Sequence, residues 1–101
     1  MIKKVLAFMI VLAYGVLHLN TVQSGEGYIY IRLNTPIEDL QYGNTIELEC
    51  VTVDIEEPIV YGWQYCMDDS QWYDLDEHEK IFRFILDEEN INYYYRVIVV
   101  N

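Results

Sequence analysis

Basic residues are scarce in this chain. Six Lys and Arg stand against 17 Asp and Glu, a formal net charge of −11 at pH 7. Such a surface repels phosphate backbones, so nucleic acid is excluded as a partner, and it resists anionic membranes. Histidine is scarcer still, and beyond residue 24 only His78 remains, in a polar loop. A lone loop histidine with no nucleophile or base beside it is poor material for acid–base or nucleophilic catalysis. No His/Cys spacing suits a metal, and no glycine-rich phosphate loop is present. With 5 Gly and 2 Pro in 101 residues, linkers, repeats and low-complexity tracts are missing as well. A chain of this length holds one small domain.

What is present begins with a polarised amino-terminal segment. "MIKK" is basic, Val5 to Leu19 is apolar and uncharged, and "NTVQSGEG" is polar. This pattern predicts a signal peptide over residues 1–24, cut after Ser24, with the domain occupying 25–101. An uncleaved anchor is the alternative, but fifteen apolar positions are few for a membrane span. Cleavage removes Lys3 and Lys4 but no acid. Arg32, Lys80, Arg83 and Arg96 are then left against 17 acidic residues, and four minus seventeen gives −13. No second apolar run and no Leu-Pro-x-Thr-Gly sorting signal follows. A secreted or cell-surface product is expected, with no membrane contact apart from the signal segment.

From Tyr28 onward apolar and polar residues alternate, the period of half-buried strands. "YIYIRLN" sets Ile29, Ile31 and Leu33 on one face, and "TIELECVTV" does the same with Ile46, Leu48 and Cys50. "IVYGWQYC" aligns Tyr61, Trp63 and Tyr65, and "QWYDL" is a short strand. "IFRFIL" aligns Phe82, Phe84 and Leu86, and "YYYRVIVV" aligns Tyr93, Tyr95, Val97 and Val99. Polar turns separate these six strands, and no helix is expected. Two apolar faces need each other, so the fold class is an all-β antiparallel sandwich.

The order of "LEC" (48–50), Trp63 thirteen residues after Cys50, and "ENINYYYRV" (89–97) resembles an immunoglobulin-like domain. "GNTIELE", "WQY…DDSQWYDL" and "FILDEENINYYYRVIV" are similar, more narrowly, to the immunoglobulin-like repeats of Gram-positive bacterial surface proteins. The likeness spans roughly Tyr42 to Val100. It departs from those repeats at Asp69 and Ser70, where they favour Gly. It implies that Cys50 takes the strand-B cysteine's place, Trp63 the buried strand-C tryptophan's and Tyr93 the corner tyrosine's. Tyr95 then stands where a second cysteine would be. It also implies a non-catalytic module with no cofactor.

Parity decides the cysteines. Cys50 shares a face with Leu48 and should be buried, whereas Cys66 lies three residues past Trp63 and points to the opposite face. Two free thiols follow, because a bridge needs converging Cβ vectors, and Cys66 is expected to be exposed. Asp68, Asp69, Asp74, Asp76 and Glu77 form two acidic turns without a calcium-loop pattern, so no metal is expected.

Asn101 comes directly after the strand holding Tyr95, so the expectation is a sandwich without its final strand, G. Either "YIYIRLN" folds over to cover that edge, or the edge takes a strand from a neighbour. The candidate binding surface is the outer face of the Trp63 sheet: Gln64, Cys66, Trp72, Tyr94, Arg96, Ile98 and Val100. The leading expectation is an exported binding or structural module for a protein or cell-surface glycan. Self-association through the open edge, as an assembly subunit, is the alternative.

Overall fold

The computed structural model describes the backbone of residues 5–13, 16–21, 23–24, 27–67 and 71–100, and the side chains of residues 27–67 and 71–100. The strands are β1 (Val5–Ala13), β2 (Val16–Thr21), β3 (Gln23–Ser24), β4 (Gly27–Leu33) and β5 (Thr45–Val53), followed by β6 (Val60–Cys66), β7 (Trp72–Asp74), β8 (Ile81–Ile85) and β9 (Tyr94–Val100). They form two antiparallel sheets, β2-β1-β9-β6-β7 and β3-β4-β5-β8. From Gly27 onward each sheet takes three strands, the six that the alternation predicts.

In one sheet β5 lies between β4 and β8, and in the other β6 lies between β9 and β7. The other edge of β9 is held by β1, in register from Val5 opposite Val100 to Val11 opposite Tyr94.

That edge corrects one expectation: "YIYIRLN" does not cover it. All of it but Asn34 falls in β4, which is bound between β3 and β5 in the other sheet. The reason is in the side chains. Opposite β5, Arg32 meets Glu49 while Ile31 and Leu33 meet Cys50 and Leu48. Charge then pairs with charge on one face and apolar with apolar on the other, whereas no residue of β9 is acidic.

The inner faces form one cluster of Ile29, Ile31, Ile46, Leu48, Cys50, Trp63, Phe82, Leu86, Tyr95, Val97 and Val99. Burying each large aliphatic side chain contributes roughly 1.5–3 kcal/mol. Trp63 is 0 % exposed, and its indole Nε1–H donates to the Glu79 carbonyl at 2.8 Å, as a buried indole must. Its ring lies 5.5 Å from Phe82, and Phe84 stacks on Tyr95 at 5.0 Å.

Two turns show how local residues steer the chain. Gly43 has φ +90°, a conformation that side chains disfavour, and its N–H donates to the Leu86 carbonyl at 2.8 Å. At the corner between β8 and β9, Asp87 Oδ1 accepts from the N–H groups of Glu89 and Asn90, and Asn90 Oδ1 accepts from that of Asp87. This reciprocal Asx turn aims the chain back across the sandwich into β9.

Candidate functional site

Cross-strand register assembles the outer face of β9-β6-β7. Gln64 stands opposite Arg96 and Asp74, Cys66 opposite Tyr94 and Trp72, Gly62 opposite Ile98, and Val60 opposite Val100. The structure therefore puts Gln64, Trp72, Tyr94, Arg96, Ile98 and Val100 on one surface, and all six are half-buried.

At one end three of them touch. The Arg96 guanidinium lies 4.2 Å from the centre of the Trp72 ring, and Arg96 Nε donates to Gln64 Oε1 at 2.7 Å. Among the described residues Arg96 makes no ion pair, and its partial burial lowers its pKa. At the other end the face is apolar and shallow. Gly62 contributes no side chain beside Ile98, and Val60 is 61 % exposed beside Val100. Val60 belongs to this surface and was missed in the sequence, where it reads only as the start of a strand.

Cys66 overturns its expectation: it is 0 % exposed. Parity holds, since Cys66 is absent from the cluster between the sheets. Its cross-strand neighbours are the large Trp72 and Tyr94. With Arg96 laid over Trp72, a small side chain on this outer face is buried beneath larger ones. Both thiols are free, and burial pushes that of Cys50 up to about 12.

Tyr95, not Tyr93, donates its hydroxyl to the Asn90 carbonyl at 3.1 Å, five residues upstream. Tyr93 stacks on Tyr65 at 5.0 Å, and Tyr65 on Tyr73 at 5.4 Å. Burial first, then the Glu89 carboxylate, raises Tyr93 to about 12.

The opposite outer face is occupied by its own charges. Arg32 bonds Glu49 at 2.9 Å, Lys80 approaches the same carboxylate at 3.5 Å, and Arg83 bonds Glu47 at 2.8 Å. Asn34 Nδ2 donates to Glu47 at 2.7 Å and to Glu49 at 3.0 Å. Asn34 and then Arg32 hold the Glu49 carboxyl down at about 2. An open depression of about 400 Å³ beside this network includes Asn34, Asp39, Glu47 and Arg83, but the Glu47 carboxylate there is already bonded.

His78 spans the Tyr61 carbonyl at 3.1 Å and Asp76 Oδ1 at 3.2 Å, and both raise its pKa. Of the acidic turns, Asp68 and Asp69 lie outside the described residues. Asp74 Oδ1 accepts the N–H of Asp76 at 2.9 Å, an ordinary Asx turn. Comparison with protein-family models, with curated proteins and with solved structures finds no match.

Proposed function

We propose that the chain is an exported, non-catalytic immunoglobulin-like module of the bacterial cell surface, binding a protein or a surface glycan through the outer face of β9-β6-β7. One observation carries this reading. Among the described residues Arg96 sits on Trp72, held by Gln64 and without a carboxylate, while Arg32, Lys80 and Arg83 are closed in ion pairs. Aromatic and arginine side chains of this kind are enriched at binding hot spots. The likeness of "GNTIELE" and "WQY…DDSQWYDL" to repeats of Gram-positive surface proteins, and the leader pattern of residues 1–24, supply the location.

The test compares the fluorescently labelled chain with Trp72→Ala and Arg96→Ala variants for adhesion to cells and to arrayed cell-surface glycans. Loss of adhesion in both variants, each still folded with a cooperative unfolding transition, is the expected result. Equal adhesion by all three proteins overturns the assignment of this face. Mass measurement of the exported protein checks cleavage after Ser24.

The second reading is an assembly subunit that accepts a neighbour's strand at the edge of β9. It is favoured by the position of β1, which already lies along that edge.

A further inference from the structure

We propose that the edge of β9 is a strand-acceptor site, held in the full-length chain by residues 5–13 and opened, when the leader is removed, to an apolar strand from another polypeptide. The proposal rests on the reading that residues 1–24 are removed on export, and it deepens the second reading by giving the chemistry of the donor.

Three features point the same way. Pairing with β1 runs the whole length of β9, seven residue pairs from Val5–Val100 to Val11–Tyr94. Loss of β1 would leave a row of N–H and C=O groups without the strand that covers them here, and such a row is a template for another chain. Secondly, β9 has none of the usual protections of an edge: no Pro, no Lys, and a single cation, Arg96, already engaged by Gln64 and Trp72. Thirdly, β1 and β2 also run beside β4 of the opposite sheet. Their departure therefore opens one side of the sandwich near the buried residues Ile29, Ile31, Val97 and Val99.

The register states what a donor must be. Leu6, Phe8 and Ile10 stand opposite Val99, Val97 and Tyr95, and the small Ala7 stands opposite Ile98. A donor is thus an extended segment of about seven residues, antiparallel to β9 and apolar at alternate positions, whose backbone supplies affinity and whose side chains supply selectivity. It should carry no acid, because the domain it joins has four basic residues against 17 acidic ones.

The experiment begins with the folded full-length chain carrying a specific protease site at residues 25–26. The chain is cut, and a labelled synthetic peptide of residues 5–13 with a lysine tail is added. Expected are retention of the cut leader, its displacement by excess peptide, and protection of the β9 amides by either. Amide exchange in β9 should quicken at least about a hundredfold when the leader is stripped. A peptide with Pro in place of Phe8 should bind at least about tenfold more weakly, for want of a ladder donor. Failure to take up the peptide, or β9 protection unchanged after stripping in a monomer, overturns the proposal. Dimers that protect β9 without peptide overturn the donor chemistry in favour of pairing between two β9 edges.

Should the cut chain unfold, the full-length Ala7→Cys/Ile98→Cys variant decides the matter. Directly opposed residues are close enough to bridge, so an intrachain disulfide is expected, and its absence in a folded chain overturns the seat. An exported protein that retains residues 1–24 defeats the reading of leader removal while leaving peptide uptake by the cut chain as a separate result.

Discussion

On the outer face of β4-β5-β8, Arg32 and Lys80 close on Glu49 and Arg83 closes on Glu47, with Asn34 joining the two carboxylates. On the outer face of β9-β6-β7, Arg96 has Gln64 and Trp72 as partners and, among the described residues, no carboxylate. Both sheets turn the same kind of apolar surface inward, so the difference is not one of fold. It lies in whether a face has satisfied its own charges. A face of closed ion pairs offers a ligand little, because each pair must be broken and desolvated first. A guanidinium laid on an indole retains donors for a ligand at low cost.

The contrast can be tested by degrees. Trp63→Ala removes the support common to both faces and should destabilise the chain by about 3–5 kcal/mol, read by urea unfolding. A smaller loss than that of Trp72→Ala would show that the core has been misplaced. Cys66→Ser puts a hydroxyl beneath Trp72 and Tyr94 and should cost about 1–3 kcal/mol. In the native wild type neither thiol should react with a disulfide reagent, and two should react on unfolding, whereas one fast thiol would mean that the outer face does not close over Cys66.

Glu49→Gln cuts the charge ladder, which is partly exposed, and should cost about 1 kcal/mol, less in high salt. Its pH dependence has a definite sign. The folded carboxyl titrates near 2, below its ordinary 4.5, so its contribution is complete above about 4.5 and is lost as pH falls toward 2. Wild type and variant should converge in stability over that window, and a gap that persists at pH 2 would contradict the role of Asn34 and Arg32. Arg96→Ala should have the smallest effect on stability, about 0.5–1 kcal/mol from the lost contact with Trp72, and the largest on binding.

Much of this was legible in the residues. Ile29, Ile31, Ile46, Leu48, Phe82 and Val97 could be placed inward because alternation is local: a strand residue's face follows from its neighbours in sequence. The outer-face set from Gln64 to Val100 followed from the same parity. Parity names a side, however, and not what stands over it. Parity gives Cys66 the correct face and not its environment, since its cross-strand neighbours are Trp72 on β7 and Tyr94 on β9. Tyr93 and Tyr95 share a face, so no pattern could tell which hydroxyl reaches Asn90. Only the path of the Asp87–Asn90 corner selects Tyr95.

By itself the sequence determined six alternating strands, their inward residues, the acidic surface and two separate thiols, because each depends on spacing along the chain or on composition. Tertiary structure alone decided which strand covers β9. Residues 5–13 are apolar at every position, so they carry no parity and are suited equally to a membrane-facing leader or to a strand. The choice of partner and register is set by long-range pairing, with Arg32 and Glu49 drawing β4 to β5 and leaving the β9 edge to β1.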